Sequence, residues 1–160
     1  MKRVLAIVAL LLALSLVMSS CKKKAPTEPE EEFTGEMSAD VAGILWETDN
    51  PIYYNTIDMV AGAQLANGIE NISDFNTITI HLQEIDDSLQ VRSYNALCFY
   101  QESRGEVPNT IVNTWDDYHG ICEITEVTDE RVKGTFSFKG TNREDNTTKV
   151  VTGKFFAPRK

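Results

Sequence analysis

From residue 37 to the end of the chain, apolar side chains recur with a period of two, and that alternation confines the chain to strands. It is clearest over residues 77–84, where Ile78, Ile80 and Leu82 share one face and Thr79, His81 and Gln83 the other. Residues 131–139 repeat it, with Val132, Gly134, Phe136 and Phe138 against Lys133, Thr135, Ser137 and Lys139. Further strands are expected over 37–41, 44–46, 52–59, 94–101, 110–115, 120–127 and 147–157, with a turn at Ala42-Gly43 and another at 128–130. The stretch 94–101 is apolar on both faces, which places it centrally in a sheet. The small-residue stretch 61–68 fits either a strand or a short helix. Short connections make the last three strands antiparallel neighbours. About eight strands in roughly 124 residues give an all-β fold, an antiparallel β-sandwich or a small β-barrel. A barrel leaves no open edge; a sandwich needs guarded edges, for which Lys133, Lys139 and Pro158 are candidates.

The first twenty residues are of another kind. Lys2 and Arg3 precede residues 4–17, a run of fourteen in which only Ser15 is polar. At 1.5 Å per residue an apolar helix of that length reaches about 21 Å, short of the roughly 30 Å hydrocarbon core of a bilayer, so a signal peptide is expected over 1–20. Met18-Ser19-Ser20-Cys21 follows. This resembles the lipobox of bacterial lipoproteins, and the resemblance implies cleavage before Cys21 and acyl chains, palmitate among them, on that residue. The competing expectation is an ordinary secretory signal with a chance Cys. Two or three acyl chains anchor stably, because each buried CH₂ contributes about 0.8 kcal/mol.

Residues 21–36 read as the lipidated Cys and a charged tether: three lysines (22–24), then Pro26-Thr27-Glu28-Pro29-Glu30-Glu31-Glu32. Two prolines and four acids in seven residues build no core element, and if fully polyproline-like the segment reaches at most ~45 Å. By resemblance to Gram-negative sorting, Lys22 after the Cys implies the outer membrane, facing either the periplasm or the cell surface. The whole chain carries 15 Lys+Arg against 24 Asp+Glu; without residues 1–20 the balance is 13 against 24, a formal −11. A chain that acidic has little with which to neutralise phosphates, so nucleic acid is excluded as a partner.

Residues 37–46 (MSADVAGILW), with Gly120-Ile-Cys-Glu-Ile-Thr, Val132-Lys-Gly-Thr-Phe-Ser-Phe and Val150-Val-Thr-Gly-Lys-Phe, are similar to small Gram-negative lipoproteins of unknown function. The resemblance covers both ends of the domain at 37–160 and implies a lipid anchor and an all-β module. It implies no substrate, cofactor or catalytic residue.

With Cys21 lipidated, Cys98 and Cys122 remain: either a disulfide, as an oxidising compartment allows, or two buried thiols packed as small apolar side chains. Trp115, Asp116, Asp117, Tyr118 and His119 are the candidate ligand or cation contacts, because two carboxylates and an imidazole in one turn can hold a cation. Their spacing fits no Ca²⁺ loop or zinc pattern, so neither a metal nor another cofactor is expected. The aromatics Trp46, Tyr53, Tyr54, Trp115 and Tyr118 could line a sugar- or lipid-binding surface, or pack as core and rim. Asp87-Ser88-Leu89 resembles a bacterial O-glycosylation triplet. No nucleophile elbow, phosphate loop or His-Glu-x-x-His occurs. The chain is therefore expected to be a monomeric, non-enzymatic, lipid-anchored module that binds an envelope protein or a glycan. A lipocalin-like carrier of a small apolar ligand is the alternative, and an enzyme the third reading.

Overall fold

The computed structural model describes residues 34–65, 74–86, 88–105 and 110–160. Its alternating segments form nine strands: β1 (Glu36–Val41), β2 (Ile44–Thr48), β3 (Ile52–Tyr54), β4 (Met59–Leu65), β5 (Phe75–Leu82), β6 (Ser93–Arg104), β7 (Ile111–Val127), β8 (Arg131–Thr141) and β9 (Thr148–Pro158). All pair antiparallel in one sheet of order β2-β1-β9-β8-β7-β6-β5-β4-β3. The expected signal segment 1–20, Cys21, the tether as far as residue 33, residues 66–68 of the small-residue stretch, and Asp87 lie outside the described residues. The described residues form one compact unit.

The sheet curls into a half-barrel. Because strand sense alternates across it, the two edge strands β2 and β3 run in the same sense, and only residues 49–51 separate them. They are halves of one interrupted strand, the first paired with β1 and the second with β4. Pro51, which has no N–H to give a ladder, sits at the break. Curling brings the edges close. A Cβ built on Gly62 of β4 would lie 3.0 Å from the Trp46 ring of β2 and 2.9 Å from Met37 Sδ of β1. The end of β3 meets the end of the chain through a parallel bridge between Tyr53 and Arg159, where the Lys160 N–H donates to the Tyr53 carbonyl at 2.9 Å.

Several expectations are corrected here. The edges are β2 and β3, so Lys133, Lys139 and Pro158 guard nothing; β8 and β9 lie inside the sheet. The strand expected over 52–59 is broken at 55–58 by a turn with Asp58 at φ 47°, and the described part of 61–68 belongs to β4. Residues 116–119 form no turn but continue β7. The Ala42-Gly43 turn is present, with φ of 52° and 87° and the Gly43 N–H donating to Asp40 Oδ1 at 2.8 Å. Positive φ at both central residues matches the twist of a two-residue hairpin.

The inward face is filled. Trp46, Tyr53, Ile78, Ile80, Ile124, Val132, Phe136 and Phe155 belong to one buried cluster. Packing between β8 and β9 sets large residues against small: Phe155 lies opposite Gly134 and Phe136 opposite Gly153. The rings lie over the glycines, so a Cβ on Gly134 would stand 2.7 Å from Phe155 Cζ and 2.6 Å from the Glu123 carbonyl oxygen. Gly134→Ala should therefore lower stability by about 1–3 kcal/mol, as overpacking of a dense core does. Urea denaturation checks this: the midpoint should fall with an unchanged slope, and an unchanged midpoint would refute the packing described.

Candidate functional site

Strand direction defines two ends. The upper end carries the Ala42-Gly43 turn and the loop after β8; the lower end carries the start of β1, the turn after β7 and the C-terminus. The run 115–119 lies on β7 in the upper half, and the pleat divides it between the two sides of the wall.

Trp115 points inward and is 6% exposed. Its Nε1–H donates to Thr147 Oγ1 at 3.0 Å, and it packs beside Tyr100, the residue opposite it on β6, with ring centroids 5.7 Å apart. Gly140 makes room: a Cβ there would come within 2.8 Å of Trp115 Cβ. Lys149 of β9 places its ammonium 4.0 Å from the Trp115 ring centroid and 5.0 Å from that of Tyr100. Its charge partner is Glu102, which also accepts the Tyr100 hydroxyl at 3.0 Å. Each of these contacts compensates the desolvation of Lys149.

Asp116 points outward and pairs with Arg143, whose Nη2 also donates to the Tyr118 hydroxyl at 2.7 Å. The Arg143 guanidinium carbon sits 5.3 Å from the Tyr118 ring centroid. Asp117 marks a bulge. Pairing to β6 shifts register between Ala96 and Cys98, and pairing to β8 shifts between Asp116 and Ile121, so over this stretch β7 holds one residue more than either neighbour. A bulge leaves ladder groups unpaired. The Asp117 carboxylate replaces the lost acceptors: Oδ1 takes the His119 N–H and Oδ2 the Lys139 N–H, both at 2.9 Å. His119 is exposed. The five residues thus do not converge. One carboxylate is held by Arg143, the other by backbone, and among the described residues no group of three or more His, Cys, Asp or Glu is placed to hold a metal ion.

What they do form, in part, is an outer groove of about 340 Å³ over β6 and β7, where Asp116 and Tyr118 meet Phe99, Val112, Arg143 and Glu144. Tyr118 is 51% exposed there, and the Arg143 side chain 67%. Sequence reasoning missed Arg143, Phe99, Glu102 and Lys149. Alternation does put Glu102 on the inward face with Tyr100, a usable signal. Nothing local announces Arg143, whose partner Asp116 is 27 residues away. Among the other proposed surface aromatics, Trp46 and Tyr53 are buried and Tyr54 is only 37% exposed.

Cys98 and Cys122 are free and fully buried, which corrects the disulfide alternative. The register sets Tyr94 opposite Cys122 and Cys98 opposite Asp117. Four residues along a strand is about 13 Å, whereas a disulfide needs Cα atoms roughly 4–7 Å apart. Burial suppresses both thiolates, pushing Cys122 up to about 12 and Cys98 higher still, the latter aided by Cys122 and Asp117. Comparison with family models, curated proteins and solved structures finds no match to this chain.

Two predictions follow from this geometry. Burial desolvates Glu102 and opposes its charge, but Lys149 outweighs that and holds the carboxyl below its usual range. A depressed carboxyl contributes stability above its unfolded pKa and loses it as pH falls through the folded value. In Lys149→Met the counter-ion is gone and desolvation raises the carboxyl instead. The variant's stability deficit should be largest near pH ~7 and shrink toward pH ~3; a deficit constant across that range, by urea titration, would count against the pair. Secondly, mass spectrometry of the native protein after iodoacetamide treatment should find Cys98 and Cys122 unmodified, and both alkylated once unfolded without reductant. Alkylation that requires reductant would restore the disulfide.

Proposed function

We propose that this chain is a lipid-anchored lipoprotein of the cell envelope, acting as a non-enzymatic binding module at the outer membrane. The reading joins the lipobox-like Met18-Ser19-Ser20-Cys21 to an all-β domain. One observation carries the binding role: the interior is filled, so the recognition surface is the outer wall, where the groove over β6 and β7 presents Tyr118 and Arg143. The chain enters β1 at the lower end while the groove opens in the upper half, which leaves the groove clear of the attachment point. A monomer with an envelope protein or glycan as partner fits this arrangement, and kinship with small Gram-negative lipoproteins belongs to the same proposal. Whether the domain faces the periplasm or the cell surface, the anchor and groove work alike.

A lipocalin-like carrier would need an enclosed, unfilled interior, and the inward face here is occupied by aromatic side chains over glycines. An enzyme would need a reactive constellation, and both Asp117 oxygens are taken by backbone N–H groups beside an exposed His119.

Detergent partition and intact-mass analysis of the full chain test the anchor. The wild type should partition with detergent and carry acyl mass on Cys21, while Cys21→Ala should move to the aqueous phase. A Cys21→Ala chain that remained wholly membrane-bound would refute lipidation at that residue.

A further inference from the structure

The groove over β6 and β7 has a composition that selects among ligand classes, and we infer that it binds a neutral oligosaccharide. The inference rests on the binding-module reading and names its ligand. Three features converge on it.

The first is charge. Arg143 faces Asp116 and Glu144 in the groove, leaving one formal negative charge. An anionic ligand meets two carboxylates, and a cationic one meets a guanidinium already seated on the Tyr118 ring. A ligand without charge avoids desolvating an ion against a like charge.

The second is hydrogen-bonding capacity of both kinds. Arg143 uses Nη2 on Asp116 and Tyr118, and its side chain is largely exposed, so Nε–H and Nη1, which have no hydrogen-bond partner among the described residues, remain as donors. Asp116 Oδ1 and the Glu144 carboxylate are acceptors beside them. Donors and acceptors side by side suit hydroxyl groups, each of which both donates and accepts. Purely apolar ligands would strand these groups.

The third is the floor. Phe99, Val112 and Tyr118 give apolar area, and the His81 ring stands edge-on to Phe99 at 6.2 Å between centroids. Saccharide rings offer C–H faces that pack on such rings while their hydroxyls point outward to polar neighbours. Beyond Phe99 a polar row continues along the wall: Thr77 Oγ1 to Gln101 Oε1 at 3.3 Å, and Gln101 Nε2 to Thr114 Oγ1 at 3.1 Å. That row extends the footprint beyond one sugar ring, which favours a chain of sugars over a monosaccharide. The groove, about 340 Å³, falls at the small end of ligand sites.

The test is a titration of the full acylated chain in detergent micelles, followed by amide and side-chain NMR shifts. The probes are a neutral β-1,4-linked N-acetylglucosamine tetrasaccharide, a neutral β-1,4-linked glucose tetrasaccharide and a tetrasaccharide of galacturonic acid. At least one neutral probe should shift Tyr118, Arg143 and Thr114, and the uronic acid should bind at least tenfold more weakly. Tyr118→Ala and Arg143→Ala should each weaken binding at least tenfold, whereas Tyr118→Phe, which keeps the ring, should stay within about threefold. Lys154→Ala, on a different part of the outer wall, should change nothing. Because Tyr118 and Arg143 are exposed, these variants should keep the wild-type spectrum outside the groove. No shift with either neutral probe, tighter binding of the uronic acid, or a Tyr118→Phe loss as large as that of Tyr118→Ala would overturn the inference. Detergent partition of Cys21→Ala would still decide the anchored-module reading by itself.

Discussion

The pairing of β1 with β9 is the contact on which the shell depends. Six residue pairs, from Glu36 opposite Phe156 to Val41 opposite Val151, join the first strand to the last. Strands β3 to β9 follow one another as a meander, each beside its sequence neighbour, and would leave two open edges. Adding β1 and its hairpin partner β2 to the β9 side carries the free edge round toward β4, so Trp46 and Met37 close over Gly62. Without that pairing the interior would face water along β9 and the aromatic cluster would have no roof. The Tyr53–Arg159 bridge secures the same seam from the lower end.

Within the shell, fit depends on matching large side chains to glycines. Phe155 over Gly134 and Phe136 over Gly153 are one device used twice, while Gly140 admits the Cβ and backbone of Trp115. The absence of a Cβ on one strand provides the volume for a ring on the next. It also explains how side chains fill the inward face of the described sheet despite its curvature. Lys149 and Glu102, the ion pair least exposed on both sides among the described residues, sit toward the upper mouth, where both side chains are 23% exposed and the rings of Tyr100 and Trp115 flank the ammonium.

Much of the strand content was legible because alternation reports burial directly: Ile78, Ile80 and Leu82 are all buried, as their face predicts. The break between β2 and β3 falls in the gap between the strands expected over 44–46 and 52–59. The bulge was not. Asp116-Asp117-Tyr118-His119 is polar on both faces and reads as a turn, since polar clusters between apolar runs usually are turns. What keeps it in the sheet is the Asp117 carboxylate acting as a backbone substitute, and that depends on Lys139, 22 residues on. The groove was half legible. Tyr118 and Asp116 belong to it, whereas Trp115 lies on the inner side of the same wall. Arg143 enters only by tertiary pairing, and no local pattern encodes that.

The order of the strands has a consequence for how the domain comes into being. A chain emerges N-terminus first, so the β1–β2 hairpin waits while about a hundred further residues are made before β9 arrives to pair with it. An isolated two-stranded hairpin is marginal in water, and this one carries Ile44 and Leu45 at 71% and 67% exposure even in the finished fold. The meander can assemble as it appears, each contact local, while completion of the sheet waits on the strand pairing most distant in sequence among the described residues. Folding should be governed by that last long-range step, and the newborn chain must be kept from sticky encounters through its first hairpin until then.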